Sequence, residues 1–180
     1  MNNVILVDTS FTAFYRFFAT MKWYSMAFKD EMKIIKTVNN YDWFTNKEFM
    51  AKYEKMFLSS IEKIVKKKVF KKSIIIFCRD SPKKKLWRTQ ISADYKGERL
   101  DLSIKNNFKP VFNYTYKTMI PKLVKDNDNM FEIKIAEIEA DDVIALSCKY
   151  IRNNFDDKII YLVSGDEDFL QLGDKDLYFA

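Results

Sequence analysis

Seven carboxylates stand out by what precedes them. Asp8 closes the apolar run Val4 to Val7, and Asp80 follows Ile74 to Phe77 through Cys78-Arg79. Glu139, Asp141 and Asp142 come after Phe131 to Ile135, and Asp166 and Asp168 come after Ile159 to Val163 through Ser164-Gly165. A single acid at such a place is often no more than a helix N-cap, and Asp142 is placed to serve as one. Capping alone does not account for four runs with the same feature in a chain of net positive charge. Like charges a few ångströms apart raise one another's pKa and destabilise the fold unless a cation lies between them. Oxygen ligands without His or Cys favour a hard ion, Mg²⁺ or Mn²⁺, over zinc. Two such ions about 4 Å apart suit phosphodiester hydrolysis, one helping to form hydroxide and the other stabilising the leaving oxygen.

These acids can cooperate only if the chain brings them to one place. The four apolar runs are short, β-branched and aromatic, and three are continuously apolar, as strands covered on both faces should be. Helical patterns lie between them. A capping box at Thr45 to Glu48 predicts a helix carrying Phe49, Met56, Phe57, Ile64 and Val65, and a second helix is expected over Ile138 to Ile151. A third, Asn113 to Asp126, contains Pro121, which predicts a kink or an interruption. Strands alternating with helices imply βαβ crossovers, hence an α/β fold with a mostly parallel twisted sheet flanked by helices. In such a sheet the carboxyl ends of all strands open on one edge, where open α/β folds bind ligands. A fifth strand is expected at Leu177 to Ala180, and no repeat or linker divides residues 1–180 into further domains.

Much chemistry is excluded. The 180 residues include no histidine, so Ser-His-Asp and Cys-His nucleophile systems and histidine-ligated zinc are ruled out. The three glycines, Gly97, Gly165 and Gly173, do not form a dinucleotide or P-loop motif. Cys78 and Cys148 sit in apolar runs and are expected to be small buried hydrophobes in a reducing compartment. No run approaches the roughly 18 apolar residues of a membrane span, and Val4 to Val7 is too short for a signal peptide. The expectation is an intracellular protein, cytoplasmic, nuclear or at a viral replication site.

The balance of 31 Lys and Arg against 25 Asp and Glu gives a net charge of +6 and suggests a polyanionic partner. The connection between the second and third strands, about 81–130, is too long for a simple crossover, and long connections in compact domains are usually functional or disordered. Its first part is strongly basic, with Lys83, Lys84, Lys85 and Arg88 beside Trp87 and Tyr95. Those cations are read as nucleic-acid contacts, Trp87 as a core residue, and the lysine runs at 66–68 and 71–72 as an exposed helix end.

Ile-Glu-Ala-Asp-Asp-Val-Ile (138–144) and Val-Ser-Gly-Asp-Glu-Asp-Phe-Leu-Gln-Leu (163–172) resemble the two most recognisable blocks of the 5′-nuclease family. That family comprises flap endonucleases and the 5′→3′ exonucleases of phages and bacterial DNA polymerase I, on a PIN-like fold. Asp8 and Asp80 fall where the family places its other acids, and Asp94-Tyr95-Lys96-Gly97-Glu98-Arg99 is similar to the Tyr-Lys-x-x-Arg block of its helical arch. Five blocks in order across nearly the whole chain make the resemblance specific.

The resemblance implies roles. Asp8, Asp80, Glu139 and Asp141 would form a first metal site with Asp142 close by, and Asp166 and Asp168 a second that shares Asp141. Lys96 and Arg99 would steer and polarise the scissile phosphate, opposing charge that develops in the transition state. Read alone, those two cations would be a solvated helix face. Tyr95 would stack on an unpaired base, and Arg16 would contact a phosphate. The arch would occupy about 82–112. Thr9 stands where the family commonly has glycine, and residues 1–180 lack the helix–three-turn–helix and further acids expected downstream, which would leave the second metal site incomplete. The implied substrate is DNA with a free 5′ end, a flap or a single strand, cut by a monomer needing two Mg²⁺ or Mn²⁺ ions and no small-molecule cofactor. A PIN-type ribonuclease and a non-catalytic nucleic-acid-binding remnant remain as rival readings. A receiver-like phosphoacceptor domain is disfavoured, because it needs one acceptor Asp with a few neighbours and no basic insertion.

Overall fold

A computed structural model describes residues 3–82, 85–92 and 108–179. Five strands, β1 (Asn3–Asp8), β2 (Ser73–Cys78), β3 (Met130–Ile133), β4 (Ile159–Val163) and β5 (Leu177–Phe179), form one sheet in the order β3-β2-β1-β4-β5. Every pairing is parallel. The expected α/β architecture with helices on both faces is therefore present, and all five strand ends point to one edge.

The strands are apolar on both sides because each face is covered. Ile5, Val7, Ile75, Phe77 and Val163 alternate toward a core shared with α1 (Thr9–Ala27) and α3 (Lys47–Val65), rich in aromatics such as Phe17, Tyr24, Phe49, Tyr53 and Phe57. Val4, Leu6, Cys78, Ile160 and Leu162 face the other way, against Val143, Ile144, Cys148 and Ile151 of a helix spanning Ala140–Asn154. The period of two in a strand produces this division, and each fully buried large side chain contributes about 1.5–3 kcal/mol. Both cysteines are free and buried, as expected.

Several boundaries move. The helix expected from a capping box at Thr45 starts one residue later: Asn46 is the N-cap, taking the Phe49 N–H at 2.9 Å, and Thr45 belongs to a preceding 3₁₀ turn. Asn and Asp cap more strongly than Thr, which explains the choice. The third strand begins at Met130, ahead of Phe131, and ends at Ile133. Between α1 and α3 lies α2 (Lys29–Ile35), and α4 (Lys67–Lys72) follows Lys66, whose φ of 71° breaks the helix. The lysine runs are thus an exposed break and a short separate helix.

In the long connection, α5 (Trp87–Ile91) comes first, and then α6 (Lys109–Tyr114), a π-helical turn (Thr115–Met119) and α7 (Ile120–Asp126) run without a gap. The α-helical pattern is interrupted just ahead of Pro121, by the π turn. Pro121 itself sits in the first turn of α7, where its ring and missing N–H are tolerated. The helix after β3, Ala140–Asn154, is α8. Among the described residues no helix is long and apolar enough to cross a membrane.

Candidate active site at the carboxyl edge of the sheet

Asp8 is the last residue of β1 and the N-cap of α1, and it is 7% exposed. Its Oδ1 accepts the Phe11 N–H at 3.0 Å and its Oδ2 accepts the Ser164 hydroxyl at 3.0 Å. Register places Ser164 there, since Val7 pairs with Val163. Burial raises the Asp8 pKa above the ordinary carboxylate value, against the two hydrogen bonds, and the negative charges of Asp80 and Asp166 raise it further. Asp80 lies two residues past Cys78, the partner of Asp8 in β2. Its Oδ1 accepts the Ala140 N–H at 2.7 Å, at the start of α8, and its Oδ2 accepts the Ser10 hydroxyl at 2.5 Å. Ser10 also meets the Tyr116 hydroxyl at 2.6 Å.

Glu139, 5% exposed, caps α8, and Asp142 closes the capping box by accepting the Glu139 N–H at 3.5 Å. The sequence reading assigns Arg88 to nucleic acid, but its guanidinium is turned onto these acids. It binds both oxygens of Asp142, the Oδ1 at 2.8 Å, and Glu139 Oε2 at 3.2 Å. The Arg88 hydrogen bonds hold the Asp142 carboxyl below its ordinary range. Asp141 is half-buried in the first turn of α8. Past β4, Asp166 caps a 3₁₀ turn (Glu167–Leu172) by accepting the Asp168 N–H at 3.0 Å, and Asp168 is exposed.

The basic residues divide. Arg16 is half-buried on α1 with its guanidinium 4.7 Å from the Tyr15 ring centroid, and Lys85 is exposed. Lys83, Lys84, Tyr95, Lys96 and Arg99 lie outside the described residues. Trp87 is no core residue: it is 41% exposed and sits 4.6 Å beneath the Arg88 guanidinium, which it flanks while Arg88 reaches the acids. Thr9 fits fully buried, its hydroxyl donating to the Val7 carbonyl at 3.3 Å.

A family model described as "5′-3′ exonuclease, N-terminal resolvase-like domain" matches residues 3–179. The chain belongs to that family. No curated protein matches it significantly. Among solved structures, that of the T5 D15 protein co-crystallised with metal ions is similar in fold, with a TM-score of 0.58 at 20% identity. The match covers 98% of this chain and 53% of that one, so the chain spans about half the length of its structural neighbour.

As a resolvase-like domain, the protein presents an all-oxygen donor set that suits a hard divalent cation in type, with Asp8 buried and under the charges of Asp80 and Asp166. As the side chains stand, no group of three or more acids among the described residues is close enough to hold an ion. Arg88 supplies positive charge at Glu139 and Asp142 in this arrangement. Sequence reading missed Ser10, Ser164 and Tyr116. Ser164 was recoverable from the parallel register beside Asp8, and Ser10 from its place two residues on. Tyr116 was not, because it stands 106 residues from Ser10 and nothing in its own segment marks it for this edge.

Proposed function

We propose that this chain is a divalent-metal-dependent 5′-nuclease that hydrolyses phosphodiester bonds in DNA with free 5′ ends or flaps. The observation that carries the reading is the convergence of acids from four parallel strand ends on one edge, in a member of the 5′-3′ exonuclease domain family. Co-crystallisation of the T5 D15 protein with metal ions supports it. Asp8, Asp80, Glu139 and Asp141 would hold a first cation, and Asp166 and Asp168, sharing Asp141, a second. Bound ions would supply hydroxide near neutral pH and stabilise the leaving oxygen. The chain's own groups do the rest. Ser164 and the Phe11 N–H orient Asp8, while Ser10 and the Ala140 N–H orient Asp80. Asp142 anchors Arg88 next to the site. Lys96 and Arg99 place positive charge against the scissile phosphate, and Tyr95 stacks on an unpaired base. Lys83, Lys84, Lys85 and Arg16 hold phosphates and contribute salt-sensitive affinity.

The test is cleavage of a 5′-labelled flap, and of single-stranded RNA, with and without Mn²⁺. Mn²⁺-dependent flap cleavage is expected, and preferential RNA cleavage would transfer the domain to the ribonucleases. One observation favours a second reading: the Arg88 guanidinium already engages Glu139 and Asp142. A non-catalytic binder would retain DNA without cutting it at any Mn²⁺ concentration.

A further inference from the structure

We propose that Tyr116 is a positioning residue for Asp80, acting through the Ser10 hydroxyl. The inference rests on the metal-dependent reading of the acid edge and assigns a role to two residues outside its ligand set. Ser10 donates its single hydrogen to Asp80 Oδ2 at 2.5 Å, so at the 2.6 Å contact with Tyr116 the phenol must be the donor. The chain of donation therefore has one direction, from phenol to serine to carboxylate. Burial pushes the Tyr116 pKa far up, so the phenol keeps its proton throughout the physiological range. The other oxygen of Asp80 is held by the Ala140 N–H at 2.7 Å. Both oxygens are thus held by donors from other elements, which sets the plane of the carboxylate.

The placement of Tyr116 is built rather than incidental. It lies in the π-helical turn Thr115–Met119, an arrangement that is rare and concentrates at functional sites. Arg79 stacks 4.2 Å from its ring centroid and is itself tied to Glu132 at 3.2 Å. A phenylalanine would fill the same space. The hydroxyl is what reaches Ser10, and groups that orient a ligand's carboxylate typically alter metal affinity by about 10–100-fold when lost.

Mn²⁺ affinity, read from the free-ion electron paramagnetic resonance signal, tests this on residues 1–180 as wild type, Tyr116→Phe, Ser10→Ala and the double variant. Ser10→Ala should weaken binding about 10-fold or more, and Tyr116→Phe about 3-fold, being one hydrogen bond further out. The double variant should match Ser10→Ala alone, because the phenol acts only through the serine. Melting midpoints in EDTA should stay close to wild type. Wild-type affinity in Tyr116→Phe, or losses that multiply in the double variant, would overturn the relay while leaving the metal reading intact. So would a large midpoint loss in EDTA without a change in Mn²⁺ affinity. A wild-type chain that binds no Mn²⁺ would remove the metal reading and the relay together.

Discussion

The two halves of the acid edge are built differently. On the β1–β2 side, both oxygens of Asp8 and both of Asp80 accept hydrogen bonds, one from the turn that Asp8 itself caps and the others from distant parts of the chain: the end of β4, Ser10 and the start of α8. On the β4 side, Asp166 is bonded to the backbone of its own turn and Asp168 is exposed. Ordering a side chain costs conformational entropy, and on the first side that cost is met during folding. On the second side it falls due on binding. A first cation should therefore bind more tightly than a second.

Asp8→Asn should break the ordered half most severely. Cleavage should fall about a thousandfold or more, since several kcal/mol of charge stabilisation depend on the cation. The asparagine still caps α1 and removes a buried charge, so the metal-free melting midpoint should rise by about 2–4 °C for each kcal/mol of relief. The sign follows from the raised pKa of Asp8. Its ionisation destabilises the metal-free fold at neutral pH, and that penalty fades as pH falls from the raised value toward the ordinary 3.8. Melting curves of both proteins across acid pH should converge at the low end, and a constant gap would contradict the cause given.

Next in size is the contrast between neighbours on α8. Asp141→Asn should abolish the Mn²⁺-induced rise in melting midpoint, whereas Asp142→Asn, at a residue bound to Arg88, should reduce it only in part. Equal losses would place both acids on the ion.

Arg88→Ala should cost about 1–2 kcal/mol, between a surface pair and a buried one, because Glu139 is buried while Asp142 and Arg88 are about a quarter exposed. The lowered pKa of Asp142 adds stability above 3.8 that is lost as pH falls through the folded value, so the variant's acid limb should be flatter. Denaturant melts at two pH values measure this, with Mn²⁺ recovering part of the loss at neutral pH.

The smallest effect is expected at Gly165, on the less ordered half. A Cβ there would lie 2.3 Å from the Phe11 ring tip, but that ring is 39% exposed and can swing aside. Gly165→Ala should destabilise by about 1 kcal/mol or less. A larger loss would show that the Asp166 turn is held as firmly as Asp80.

The sheet was legible because continuous apolar runs such as Val4 to Val7 have few other places to go, and acids just beyond them then fall at one edge of a parallel sheet. Side-chain pairing was not. Arg88 reads as one more cation in a basic stretch, and only the meeting of α5 with the start of α8 turns it onto Asp142. Trp87 was misread for the same reason: its ring lies beneath a guanidinium whose position sequence does not encode locally. Pro121 signals that the helix is disturbed, but nothing in Thr115 to Met119 says that the disturbance is a π turn.

The strand order carries a consequence for how the protein comes into being. β1, the first of the five strands in chain order, lies between β2 and β4, so Asn3 must find both Ser73 and Ile159. Parallel pairing across such separations closes large loops before it is rewarded, and chains of this kind fold slowly. Asp8 receives its Ser164 hydrogen bond only when β4 docks, from a residue 156 positions further along the chain. A chain in which β4 has not yet docked therefore lacks one of the two hydrogen bonds that fix Asp8, so β1 and β2 alone do not set the acid edge in its final geometry.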